Sequence, residues 1–181
     1  MPREDRAVRW SKLPAMREEL HDCDFLLYLD ADAFFDSHER RIEEELLPLL
    51  EDKQIMMSAG QTADSRRQTA AEVVPTPDTG VVLVRNSTRA AEMLRVWDET
   101  SDHPDLRWFC FHPPYEQGLC FQVMRQEYPD EVKLLTESHG MNGVNGMFIR
   151  HLRDMDEDER YRRQTDFLDS RWERMEECRA A

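Results

Sequence analysis

Five consecutive apolar residues, Phe25-Leu26-Leu27-Tyr28-Leu29, stand between Asp24 on one side and Asp30 and Asp32 on the other, and they constrain this chain more than any other feature. An unbroken apolar run this short suits a β-strand covered on both faces. Such a strand needs a layer on each side, and the flanking sequence supplies candidates. Val8, Leu13, Met16 and Leu20 recur at helical spacing and predict a helix over about 11–21. Ser37 is a good N-cap for a helix whose apolar face is Ile42, Leu46, Leu47 and Leu50, with Pro48 disturbing its last turn. Residues 54–58 read as a short strand, and 59–77 as a polar loop of a length usually reserved for lids and binding segments. Val81 to Val84 form a second buried strand, after which Ser87 or Thr88 caps a helix carrying Ala90, Met93, Leu94 and Trp97. An irregular, proline-rich segment over 102–114 precedes a helix at 115–127, strands at 132–135 and 147–149, and a charged amphipathic helix in 156–178. This alternation predicts an α/β architecture with a mixed, mostly parallel sheet flanked by helices.

Of the 181 residues, 38 are acidic and 24 basic, a formal charge of -14. A surface that follows nucleic-acid phosphates needs clustered Lys and Arg, so nucleic acid is excluded as a partner and a phosphate-bearing ligand would need a bridging cation. A hydrophobic fraction of 40% is ample for a core. The cysteines at 23, 110, 120 and 178 form no C-x-x-C pair and read as small buried apolar side chains, while His103, Cys110 and His112 match no closed zinc site. No stretch approaches the ~20 apolar residues that span a bilayer, and the residues after Met1 do not read as a signal peptide, so no membrane segment is expected in this chain.

The sharpest chemical feature is Asp30-Ala31-Asp32. On an extended chain, positions i and i+2 point to one side, so both carboxylates can approach one cation. They also end a buried strand, which is where open α/β sheets bind their ligands. Of the four D-x-D matches in the chain (Asp22/Asp24, Asp30/Asp32, Asp154/Asp156 and Asp156/Asp158), only Asp30/Asp32 does so. Two enzyme readings follow. Haloacid-dehalogenase-like phosphatases place a Thr two residues after the second Asp, where this chain has Phe34. Nucleotide-sugar transferases use the pair to hold a divalent metal against a diphosphate and accept an apolar residue there, so the transferase reading fits better.

Five segments carry a resemblance. They are Trp10-Ser11-Lys12, Asp24 to Ala33 with its D-x-D, Asp78-Thr79-Gly80 leading into Val81 to Ser87, Tyr115-Glu116-Gln117-Gly118, and Phe148-Ile149-Arg150-His151. In this order they resemble landmarks of GT-A-fold glycosyltransferases, most closely glycosyltransferase family 34, which includes galactosyl-, mannan-chain and xylosyltransferases. The resemblance runs from about Trp10 to His151 and implies a partial GT-A fold. It implies that Asp30 and Asp32 bind manganese or magnesium and the donor diphosphate, that His151 is a further metal ligand, that Asp78 to Gly80 lie beside the donor and acceptor sugars, and that Glu116 and Gln117 line the reaction centre. Arg150 is a candidate for steadying phosphates, as are Arg66 and Arg67. Among metals, an imidazole beside two carboxylates favours manganese. The implied reaction moves a sugar, with retention, from a nucleoside diphosphate donor to a hydroxyl on a glycan or glycoprotein acceptor. The chain departs from the family pattern at Asp78 (more often Asn), Glu116 (more often Asp) and Asp154 (usually Gly).

In a whole enzyme of this kind, the strands that bind the nucleotide base precede the D-x-D, and only 29 residues precede Asp30 here. The expected organisation is therefore an N-terminally truncated GT-A-like domain over 1–153 and a charged amphipathic helix over 154–181. An incomplete transferase acting as a binding piece is the main alternative. A Golgi lumen location is implied by the family for a longer form carrying an anchor.

Overall fold

The computed structural model describes residues 6–36, 39–60, 76–135 and 148–152, together with 156, 158, 159, 162, 163 and 165. The elements in chain order are α1 (Lys12–Glu19), β1 (Phe25–Leu29), β2 (Ala33–Phe35), α2 (Ile42–Glu45), α3 (Leu47–Leu50), β3 (Ile55–Gly60), β4 (Thr76–Arg85), α4 (Thr88–Thr100), α5 (Glu116–Glu127), β5 (Val132–Leu135) and β6 (Ile149–His151). Short 3-10 turns flank α1 at Val8–Ser11 and Leu20–Asp22, and a longer one covers Pro104–Cys110.

The main sheet has the order β1-β4-β3-β5. β4 is antiparallel to β1 and to β3, while β3 and β5 are parallel. Three of the four strands thus point the same way and β4 runs against them, a mixed sheet within the α/β class the alternation predicts. Period-2 alternation divides its side chains between two cores. Leu26, Tyr28, Ile55, Met57, Val82 and Val84 face Leu13 and Met16 of α1, Met93, Leu94 and Trp97 of α4, and Leu119 and Val123 of α5. Phe25, Leu27, Leu29, Met56, Val81 and Leu83 face Leu46 and Leu50 on the other side, with Phe148 and Ile149. β1 thus sends side chains into both cores, but as the outer strand of the sheet it is only half-buried, short of the full cover its unbroken apolar run predicts.

Local sequence accounts for most of the boundaries. Ser87 caps α4, accepting from the Ala90 backbone N–H at 3.0 Å, and its loss would cost about 1 kcal/mol. The helix expected to start from Ser37 begins only at Ile42, with Arg41 at the N-cap and no side-chain cap, and it is broken at Leu46 into α2 and α3, with Pro48 in the first turn of α3, where a missing N–H is harmless. Ser37 and most of the expected loop and C-terminal helix lie outside the described residues, although Asp158, Glu159, Arg162, Arg163 and Thr165 are helical.

Four expectations change. Val8 is 78% exposed because the 3-10 turn has three residues per turn, which moves Trp10 and not Val8 onto the core face. β4 begins at Thr76, so the last residues assigned to the loop are strand. The final strand starts at Ile149 and not at Met147, and its partner is β2, a three-residue strand that periodicity did not reveal. No described helix is long and apolar enough to cross a membrane.

Candidate active site

The carboxyl end of β1 gathers side chains from five parts of the chain. The two aspartates reach it through a turn. The Ala33 N–H donates to the Asp30 carbonyl at 2.9 Å, so Asp30-Ala31-Asp32 bends away from the sheet and does not continue the pleat as an extended chain would. The turn sends the chain into β2, which pairs with β6 in the register Ala33↔His151. The Leu152 N–H donates to the Asp32 carbonyl at 3.0 Å and locks that register. His151 thereby arrives next to Asp32, with Nε2 3.0 Å from Oδ1.

Ligand atoms of Asp30, Asp32 and His151 all lie within 4.8 Å of one another. Two hard carboxylate oxygens and a borderline imidazole suit manganese or magnesium, and the imidazole tilts the preference to manganese. The donor set fits the cation the resemblance implies.

β4 shapes the floor. Its register against β3 jumps from Met57↔Val82 to Ser58↔Asp78, so Thr79, Gly80 and Val81 have no partner on β3. Such bulges re-aim backbone and side chains beside sites. Here the Gly80 carbonyl accepts from the Asp30 N–H at 2.8 Å, and the Gly80 N–H donates to Asp78 Oδ1 at 3.0 Å. A Cβ on residue 80 would lie 2.1 Å from His151 Cε1, so only glycine leaves room for the imidazole. The resemblance puts Gly80 beside the sugars; in the structure its lack of a side chain admits the His151 ring.

Lys12, the first residue of α1, is the hub. Its ammonium lies 2.9 Å from Glu116 Oε1, 3.3 Å from Asp30 Oδ1 and 3.1 Å from the Thr79 carbonyl. A buried ammonium is tolerable only with such partners, and the Tyr28 ring, 5.2 Å away, adds a cation–π contact. Glu116 enters from the N-terminus of α5, where its Oε1 also accepts from Thr79 Oγ1 at 3.1 Å. Glu116 Oε2 is buried and has no hydrogen-bond partner among the described residues. A carboxylate oxygen left in that condition is costly unless a ligand donates to it.

Tyr28 donates its hydroxyl to Asp30 Oδ1 at 2.7 Å. Burial first, then this hydrogen bond and the charges of Asp30, Glu116 and Asp32, push its pKa well above the usual 10.0, so the proton stays on the phenol. Cys120, fully buried beneath Glu116, is likewise held as a neutral thiol, chiefly by desolvation.

Of the residues singled out in the sequence, Asp30, Asp32, Gly80 and His151 meet, with Glu116 joined to them through Lys12. Asp78 is buried and turned onto the Gly80 backbone, and Gln117 is half-buried in the first turn of α5. Arg150 alternates with His151 along β6 and forms an ion pair with Asp36 at 2.5 Å, away from the cluster. Arg66, Arg67 and Asp154 lie outside the described residues. Sequence reasoning assigned no role to Lys12 or Tyr28, and placed Thr79 only within the segment beside the sugars. The first two carried a signal. Tyr28 precedes Asp30 by two on a strand, and Lys12 is a charge set between the apolar Trp10, Leu13 and Met16 of a core-facing stripe.

The chain matches no known family and no curated protein. Among solved structures it is similar to mouse xyloside xylosyltransferase 1 in its apo form, with a TM-score of 0.51 and 16% identity, over 81% of this chain and 63% of that one. The chain thus spans less than two thirds of that structure's length. At this identity the likeness establishes a glycosyltransferase fold and leaves function to the site.

Proposed function

We propose that this chain carries the catalytic core of a manganese-dependent glycosyltransferase that moves a sugar from a nucleoside diphosphate to a hydroxyl of a glycan, with retention. The observation that carries the reading is the convergence of Asp30, Asp32 and His151 within 4.8 Å of one another, with Asp30 joined through Lys12 to a buried, half-satisfied Glu116. In an acidic protein a diphosphate needs a cation to bind at all, and that cation stabilises the charge growing on the leaving diphosphate. Asp30, Asp32 and His151 would hold it. Glu116 Oε2 is placed to accept a hydrogen bond from a sugar hydroxyl, with Lys12 orienting the carboxylate through Oε1. Asp78, which accepts from the Gly80 N–H, and Gln117, next to Glu116 in the first turn of α5, adjoin the site in the chain.

Two further lines support the reading. The landmarks resembling glycosyltransferase family 34 fall on the residues that converge, and the fold likeness is to a xylosyltransferase named for a xyloside, which makes a xyloside the first acceptor to try. Isothermal titration with UDP tests the claim. Binding is expected in the presence of manganese, absent after chelation, and lost in Asp32→Ala with the fold intact; no binding under any of these conditions sinks it. A chain that binds UDP and manganese without transferring or hydrolysing the sugar would instead be a binding piece, the alternative that the partial coverage of the neighbour keeps open.

A further inference from the structure

The Tyr28 hydroxyl plays no part in the reaction just described, yet it makes a short hydrogen bond to Asp30, 2.7 Å to Oδ1. The Lys12 ammonium approaches the same oxygen at 3.3 Å. Two donors on Oδ1 fix the rotation of the carboxylate and leave Oδ2 as the oxygen to offer a cation. The two donors differ in what a cation would do to them. Lys12 is charged and has other acceptors in Glu116 and the Thr79 carbonyl, so a nearby divalent ion repels it towards them. The phenol is neutral and feels no such repulsion. It has one proton to give, and Asp30 is its acceptor.

We propose that Tyr28 is a positioning residue for the cation, holding Asp30 by one oxygen so that the other is presented to the metal. The inference rests on reading Asp30, Asp32 and His151 as a cation site, and goes beyond it by naming the group that orients the first ligand. Groups of this kind outside the coordination sphere typically change metal affinity by about 10–100-fold. With Lys12 still present, an effect of about tenfold is expected.

The test measures manganese affinity by the paramagnetic resonance signal of the free ion, in the unmodified chain, Tyr28→Phe, Asp30→Ala and the double variant, with melting curves for all four. Tyr28→Phe should weaken binding about tenfold, and the same change in the Asp30→Ala background should alter it by less than about twofold, since the acceptor is gone. A general loss of stability would act in both backgrounds, so the difference between them isolates the hydrogen bond even if Tyr28→Phe melts earlier. Affinity unchanged in Tyr28→Phe, or lost equally in both backgrounds, overturns this inference alone. No manganese binding by the unmodified chain overturns the cation site and this inference together.

Discussion

Two buried charged centres in this protein are built on opposite plans. At the far end of α4, the single carboxylate of Asp98 faces two guanidinium groups, with Arg6 2.8 Å from Oδ1 and Arg17 3.0 Å from Oδ2, and Arg6 also donates to Ser101 Oγ at 2.9 Å. At the end of β1, a single ammonium, Lys12, is divided between two carboxylates, Asp30 and Glu116, and one oxygen of Glu116 has no partner. The first centre is complete within the chain. It ties the segment before α1 to α4, and Arg6 lies over the Trp10 ring at 5.4 Å as part of the same clasp. The second is short of positive charge and of donors. Buried polar groups that the protein fully satisfies belong to the fold, and those it leaves short point to a ligand.

The largest effect expected from this contrast is at the complete centre. Asp98→Ala strands the buried Arg6 guanidinium and should cost about 3–5 kcal/mol in urea denaturation, with manganese affinity unchanged in whatever fraction remains folded. If removing Asp98 abolishes metal binding in the folded protein, the two centres are not separable in the way described.

Glu116→Gln is the counterpart at the incomplete centre. The amide keeps its shape and an oxygen for Lys12 and Thr79, so stability should move by about 1 kcal/mol or less, while sugar transfer falls on the order of a hundredfold. A large stability loss with full activity would reverse the assignment of the two centres.

Gly80→Ala sharpens the comparison by disturbing the site through packing alone. The new methyl collides with the His151 ring, so overpacking should cost about 1–3 kcal/mol, and displacement of the imidazole should weaken manganese binding about tenfold. Titration of the folded variant with manganese checks it; unaltered affinity would mean that His151 is not a ligand.

The smallest effect is in pH. The folded chain holds the Tyr28 proton well above the 10.0 of an exposed tyrosine, while the unfolded chain releases it near that value. The unfolded state therefore binds fewer protons above about pH 10, and stability present below that pH declines as pH rises. Tyr28→Phe should show a shallower alkaline decline in thermal melting, with the part due to Cys120 left in place. Identical alkaline profiles would mean the phenol is not held as described.

Much of the fold was legible in the chain because it rests on local rules. The apolar runs at Phe25–Leu29 and Val81–Val84 became neighbouring strands, Ser87 capped α4, and Pro48 fell at the break between α2 and α3. Less legible were elements whose reasons are not local. Three residues at Ala33–Phe35 are too few to carry a period, and they are a strand only because β6 lies beside them. The start of β4 reads as polar loop because its pairing with β3 resumes only beyond a bulge. The role of Gly80 could not be read at all, since it is defined by a ring 71 positions later in the chain.

By itself, the order of residues determined that two acids would follow an apolar strand, that a mixed α/β sheet would form around it, and that the chain would carry a formal charge of -14. These follow from hydrophobic pattern and charge, which act within a few residues or over the whole composition. The tertiary structure alone decided that the acids turn to meet His151, that Lys12 bridges Asp30 to Glu116, and that Tyr28 holds one oxygen of Asp30. Those depend on strand register and helix packing, where a shift of one residue turns a side chain to the opposite face, and no local pattern encodes such a register.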